Sequence, residues 1–310
     1  MLYLYTENFL WQGRAKSLAK ELLGRGGRGP EAVVGSLERG LKKLHEDFAV
    51  NQKISKPIGV ACVLNGAKVL QKLLQLKQAG MIKKLIAGPN LMLSPKDYGG
   101  LLARPEIDAV LTPSEQIRIN YGIISPEIKN KTKAWFAGVD EDYWHPDADA
   151  GKNSVLVYHK TKDLNFSNSV KNTISKFGWD LTDIWYGKYT REEYRACLAK
   201  SCFAVFISEA ESQGIALAEA WAMDVPTIVW NPMYLPHNPT PNLIPNTACP
   251  YLNSLNGLDW KDLSELDGIL GKMKNIIGGF KPRQWVLNNM TDAHSAKLFL
   301  DIANNPVAGR

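Results

Sequence analysis

The sequence predicts an α/β protein built from two doubly wound, Rossmann-like parallel-sheet domains. Helical and strand-like patterns alternate nearly from end to end, as they do where helices cover parallel sheets. The 310 residues suit two units of roughly 150. A loop rich in Asp and Pro, "DEDYWHPDADAGKNS", interrupts the alternation near residue 150, and the pattern then restarts. The expected organisation is an N-terminal domain over 1–150, a second domain over 151–290 and a C-terminal helix over 291–310.

Taken in order, "LYLY" (2–5) reads as the first strand and "PEAVVGSLERGLKKL" (30–44) as a helix. Pro30 stands in its first turn, where a missing N–H leaves no bond unmade. "IGVACVL" (58–64) is a short apolar run of the kind buried on both faces of a parallel sheet. The helical "AKVLQKLLQLKQAG" and the strand "KKLIAG" follow, then "DAVLTP" (108–113) and "AWFAGV" (134–139) as the last strands of the unit. "AGPN" (87–90) follows a strand end, so Asn90 either lines a ligand site or belongs to an ordinary Pro-Asn turn. The second unit opens with strand "VLVYH" (155–159) and helix "SVKNTISKFG", then "DIWYG" (183–187), helix "TREEYRACLAKS" and strand "CFAVFIS" (202–208). Two amphipathic helices, around 261–277 and 292–304, close the chain.

Composition is that of a globular protein, 45% hydrophobic and 22% charged, which excludes fibrous and disordered classes. The N-terminal "MLYLYTENFLWQGR" lacks the features of a signal peptide, and no run of eighteen apolar residues occurs, so a cytoplasmic protein is expected. Cys62, Cys197, Cys202 and Cys249 form no CxxC and sit in apolar segments, which suits buried thiols rather than zinc ligands. The net charge is +6, and residues 1–150 carry +5 of it, 21 Lys plus Arg against 16 Asp plus Glu. Lys16, Lys20, Arg25, Arg28, Arg39, Lys42 and Lys43 crowd its start. They form either a solvated helix face or a surface that attracts an anionic membrane or acidic polymer, which would make the protein peripheral at a membrane. No nucleic-acid partner is expected.

The richest stretch is "SEAESQGIALAEAWAMDVPTIVW", Ser208–Trp230. In doubly wound folds ligands sit outside the carboxyl ends of strands, where "CFAVFIS" delivers the chain. Glu211 lies in the loop leaving that strand, and a helix begins near Gly214, whose missing side chain lets a ligand approach the backbone. The helix's first N–H groups and positive dipole end suit a diphosphate. Glu219 follows about one turn inside, on the face of Ile215. Two such carboxylates can accept bonds from the paired hydroxyls of a sugar or ribose. The plainer alternative is two exposed helix glutamates; the composite of strand, Glu211, Gly214, Glu219 and Pro226 favours the site.

"EAESQGIALAEAWAMDVPTIV" resembles the Glu-x7-Glu signature of retaining glycosyltransferases of the B-type fold, the family 4 group. "AWFAGVDEDYWHP" is similar to that group's interdomain segment, and "DIWYGKYTREEYRACLAKSCFAVFIS" to the stretch ahead of the signature. The resemblance implies two Rossmann-like domains facing a central cleft, with the donor held by the second and the acceptor by the first. It puts Glu211 against the transferred sugar and Glu219 on the donor ribose, with Gln213, Gly214 and Ile215 around the diphosphate and Gly187 at a neighbouring strand end. Gln213 replaces the group's phenylalanine, and Asp224 with Val225 replaces the glycine before its proline. The group's Arg and Lys, five residues apart after the first strand of the second domain, are absent, and "YHKTKD" offers Lys160 and Lys162 instead. Lys160 is the candidate to offset charge on a departing diphosphate, with Lys162 a further donor contact. Each is otherwise a solvated loop lysine.

"GRGGRG" (24–29) matches GxGxxG but follows a helical pattern rather than a strand, so a dinucleotide loop is not expected. It reads as a hinge or, by the resemblance, as a glycine-rich loop whose Gly29 faces the donor. Asp140 and Asp142 form Asp-x-Asp in the linker rather than at a strand end, and His45, His145, His159, His237 and His294 show no ligand spacing, so no metal is expected. No Ser/His/Asp arrangement follows from residue order alone. The expectation is a hexosyltransferase that uses a UDP- or GDP-linked sugar, needs no cofactor and serves a glycan or lipid-linked acceptor. A nucleotide-sugar-binding protein without transfer, or a sugar-nucleotide epimerase of similar fold, are the alternatives.

Overall fold

The computed structural model describes residues 1–10, 29–147, 151–161, 163–233 and 242–305. They fall into two compact units. The first is the chain up to Gly138 together with the stretch from Asp292 onward; the second is most of the chain from Val139 to Thr291.

In the first unit the chain runs through β1 (Leu2–Tyr5), α1 (Pro30–Lys43), β2 (Phe48–Val50), β3 (Ile58–Asn65), α2 (Ala67–Gln78), β4 (Ile82–Asn90), β5 (Ala109–Thr112), α3 (Glu115–Ile124) and β6 (Thr132–Ala134). The six strands form one parallel sheet in the order β2-β1-β3-β4-β5-β6. Consecutive residues of β3, from Ala61 to Leu64, are fully buried, as a strand covered on both faces requires. Expectation and structure differ at two strand ends. β4 does not turn at "AGPN" but continues to Asn90, in register with Asn65. "AWFAGV" is strand only in its first residue; Trp135 N–H still donates to Thr112 O of β5 at 2.8 Å and its Nε1–H to Ser295 O at 2.9 Å, and the chain leaves the sheet after it.

The second unit contains β7 (Ser154–His159), α4 (Leu164–Ser175), β8 (Asp180–Trp185), α5 (Arg191–Ala199), β9 (Ser201–Ile207), α6 (Ile215–Ala222), β10 (Thr227–Trp230), β11 (Gly257–Trp260), α7 (Leu266–Ile276) and α8 (Pro282–Asn289). Its five strands are also parallel, in the order β11-β10-β9-β7-β8. From β7 the chain steps outward to β8 and then crosses to β9, so the strand order reverses between β7 and β9. Helices start where the sequence supplies caps. Asp163 accepts the Phe166 N–H at the head of α4 (2.9 Å), and Thr190 and Glu193 form a reciprocal capping box on α5.

The last helix, α9 (Asp292–Asn304), belongs to the first unit and packs along α1. Gly40 makes this possible: a Cβ there would collide with the Asp292 carbonyl oxygen and lie 2.7 Å from the Ala296 Cβ. Arg39 Nε donates to the fully buried Asp292 carboxylate at 2.6 Å beside the crossing. At the other end of α9, Lys84 Nζ donates to the carbonyls of Ile302, Ala303 and Asn305 at 2.8, 2.8 and 2.6 Å, opposite the negative end of the helix dipole. The surface proposed for the basic start of the chain is only partly described. Arg39 is engaged with Asp292, while Lys16, Lys20, Arg25 and Arg28 lie outside the described residues.

Candidate active site

Ligands of doubly wound sheets sit at the carboxyl ends of the strands where the order reverses. In the second unit that point lies between β7 and β9. Both strands are mostly apolar and largely buried, with Ser154 and His159 at the ends of β7 and Ser201 at the start of β9, so charged side chains come only where the chain leaves the sheet. For β7 that place is Lys160, the residue directly after the strand, and for β9 it is Ser208 and the loop that carries Glu211.

These two ends meet. Lys160 Nζ donates to both oxygens of Glu211, at 2.8 and 2.7 Å, and the Ser208 hydroxyl reaches Glu211 Oε1 at 3.1 Å. The backbone is fixed underneath, Lys160 N–H donating to Ile207 O and Glu211 N–H to Thr247 O, both at 2.9 Å. Water still reaches the pair, whose side chains are 30% and 16% exposed. On the outer side the Lys160 ammonium lies 5.0 Å from the centroid of the Tyr186 ring.

Helix α6 begins directly beyond. Gly214 caps it in the left-handed region, φ +79 and ψ +54, with no side-chain cap, and a Cβ there would press on Leu217 Cδ1 at 3.0 Å. A residue with a side chain would strain both the backbone and this contact. Gln213 is buried, while Ile215 and Glu219 are half-buried. Tyr194 of α5 holds the first turn by donating from Oη to Ala216 O at 2.7 Å. Tyr158, Tyr189 and Tyr194 pack together, with the Tyr158 and Tyr189 hydroxyls 2.9 Å apart. Burial, then the neighbouring Tyr189, pushes the Tyr158 phenol well above its usual pKa, and the carboxylates of Glu211 and Glu219 add to the rise. Tyr194 is raised by burial first and also by Glu219. The two glutamates, eight residues apart, therefore act on the same tyrosine cluster.

The remaining candidates separate. Gly187 takes φ +86 in the exposed turn after β8. Gly29 is in the first unit, at the head of α1 with φ +63. Lys162 and the rest of "GRGGRG" lie outside the described residues. Asp140 accepts the Tyr143 N–H at 3.3 Å and lies 3.8 Å from Arg191. Among the described residues no group of three or more His, Cys, Asp or Glu could hold a metal ion.

Sequence reasoning missed a hydrogen-bonded chain in this unit. His159, buried at the end of β7, bonds through Nδ1 to Ser167 Oγ and through Nε2 to Asp183 Oδ1, both at 3.1 Å, and stacks on Trp185 at 4.2 Å. The order resembles a hydrolytic triad, but Ser167 is 1% exposed, so no substrate reaches its hydroxyl. The chain instead ties β7 to β8 and α4 immediately before Lys160. Ser208 and Tyr186 were also missed, because the strands read from the sequence run over them, whereas β8 ends at Trp185 and β9 at Ile207.

No protein-family model and no curated protein matches the chain. Solved structures do, and they define the fold: two parallel-sheet α/β units, the fold of B-type glycosyltransferases. The lipopolysaccharide outer core galactosyltransferase WaaB, in its apo form, matches at TM-score 0.54 and 12% identity, over 97% of this chain and 99% of that one. TarM matches at TM-score 0.52 and 12% identity over 79% of this chain, which spans about half (55%) of the TarM chain. The catalytic domain of starch synthase IV from Arabidopsis thaliana, bound to ADP and acarbose, matches at TM-score 0.50 and 11% identity, over 90% of this chain and 78% of that one.

Proposed function

We propose that the protein is a glycosyltransferase that takes a hexose-type sugar from a UDP- or GDP-linked donor bound at the carboxyl edge of its second sheet. The observation that carries this is the meeting of Lys160 and Glu211, 51 residues apart in sequence, at the reversal of strand order beside the glycine-capped start of α6. Glu211 accepts from the hydroxyls of the sugar, Glu219 from those of the ribose, and the N–H groups that open α6 take the diphosphate. Lys160 supports the charge that grows on the leaving nucleoside diphosphate. An ion pair still touched by water contributes about 1 kcal/mol, little enough for a phosphate of higher charge to take the ammonium from Glu211. Transfer with retention, without a metal and to a glycan or lipid-linked acceptor, completes the reading. The structures of starch synthase with ADP and of S. aureus TarM with UDP support a nucleotide-linked donor.

A thermal-shift screen of nucleoside diphosphates tests it, because a ligand stabilises the form it binds. UDP or GDP should raise the midpoint of the wild type and not of Glu219→Ala. A wild type that ignores every nucleoside diphosphate refutes the reading. The bidentate hold of Glu211 on Lys160 favours one second reading, a nucleotide-sugar-binding protein without transfer. Donor binding without turnover in the presence of candidate acceptors would select it. Association with anionic membranes through the basic first half is part of the proposal, and co-sedimentation with anionic liposomes that about 0.5 M salt, where the Debye length is only about 4 Å, does not weaken would remove it.

A further inference from the structure

We propose that Tyr186 is the nucleobase platform of this site, a specificity-determining side chain that stacks on the base of a nucleoside diphosphate. The inference rests on the donor reading above and adds recognition of the base.

Tyr186 is the first residue after β8, beside the end of β7. Its N–H donates to His159 O at 2.8 Å, and Lys188 N–H closes the turn onto Trp185 O at 2.9 Å, with Gly187 at φ +86 between them. Backbone bonds on both sides thus fix where the ring emerges. The other aromatic residues of this region are committed to packing: Trp185 stacks on His159, and Tyr158, Tyr189 and Tyr194 on one another. Tyr186 instead leaves 50% of its surface in water, with its ring centroid 5.0 Å from the Lys160 ammonium.

An aromatic ring with the Lys160 ammonium over one face and half its surface in water, next to the reversal of strand order, matches a ligand that carries a π system and a phosphate chain joined by a short spacer. A nucleoside diphosphate has that form. Stacking is tolerant of base identity because every base has a π face, so the ring should separate nucleotides from bare phosphates more than one base from another.

The test is calorimetric titration of UDP, GDP and inorganic pyrophosphate into wild type, Tyr186→Ala and Tyr186→Phe. The alanine variant should bind both nucleotides roughly tenfold more weakly and pyrophosphate within about twofold of wild type, while phenylalanine keeps wild-type affinity. Because the side chain is half in water the alanine variant should fold; if it melts early, Tyr186→Leu keeps apolar bulk without a π face and gives the same comparison. Unchanged nucleotide affinity in the alanine or leucine variant overturns the inference, as does an equal loss for pyrophosphate, which would mean the ring acts through Lys160. A wild type that binds pyrophosphate as tightly as the nucleotides removes the platform and leaves an anion site at α6. A wild type that binds none of the three removes the donor reading and the platform together.

Discussion

Replacing Gly40 by alanine sets two known effects against each other. Inside an exposed helix the change would stabilise by about 1 kcal/mol through propensity. Gly40, however, faces α9, and the new Cβ would collide with the Asp292 carbonyl oxygen and stand 2.7 Å from the Ala296 Cβ. Neither atom is the end of a flexible side chain, so α9 must retreat by roughly 1 Å to reach ordinary contact distance. Overpacking of this kind costs about 1–3 kcal/mol, and the retreat also stretches the 2.6 Å bond from Arg39 to a buried carboxylate, a partner that is expensive to lose. The collision should win, with a net destabilisation of about 2 kcal/mol. For an m-value of about 3 kcal/mol/M that lowers the urea midpoint by roughly 0.7 M. Tryptophan fluorescence can follow it, since Trp135 is bonded to Ser295 of α9 and packs edge-on against Phe299. Gly35→Ala, in the same helix, is the control: its Cβ would meet Arg39 Nη1 at 3.2 Å, the end of a flexible side chain, so it should be neutral or mildly stabilising. If Gly40→Ala behaves like Gly35→Ala, the two helices do not approach as described.

Two further outcomes follow from the second unit. Thr190→Ala removes one half of the capping box on α5 and should lower stability by about 1 kcal/mol in urea unfolding, with Thr190→Ser close to wild type. Asp183 is held below its usual pKa, first by the hydrogen bond with His159 and then by Lys171. A carboxyl depressed on folding contributes stability that is present above its unfolded pKa of about 3.9 and is lost as pH falls through the folded value. The advantage of wild type over Asp183→Asn in urea should therefore be full at pH 7 and shrink as pH falls below the unfolded value of about 3.9, and an advantage independent of pH would contradict the assigned bonds.

Periodicity made the layering legible because burial on both faces forces long apolar runs such as "IGVACVL" and "CFAVFIS", and helices announce themselves through caps such as Thr190 with Glu193. β2 and β11 escaped notice because three or four residues at a sheet's edge hold too little pattern; "FAV" is barely buried. The ends of β4 and β6 were misjudged for a different reason. Asn90 is kept in the sheet by register with Asn65, and the indole of Trp135 is bonded to Ser295 of α9, partners distant in sequence. At the site, the local sequence marked Glu211 and Lys160 as residues at strand ends, but only the strand order brings β7 beside β9 and so one side chain against the other. The Ser167–His159–Asp183 chain was hidden because its members come from three elements and none stands in a motif.

The assignment of α9 to the first unit makes that unit discontinuous in sequence. A ribosome producing this chain would release the partner strands and α1 long before the helix that fills the Gly40 groove, with the whole second unit synthesised in between. Until then the face of α1 around Gly40 lacks its cover and the Arg39–Asp292 pair is unmade, so completion of the first unit waits on synthesis of the second.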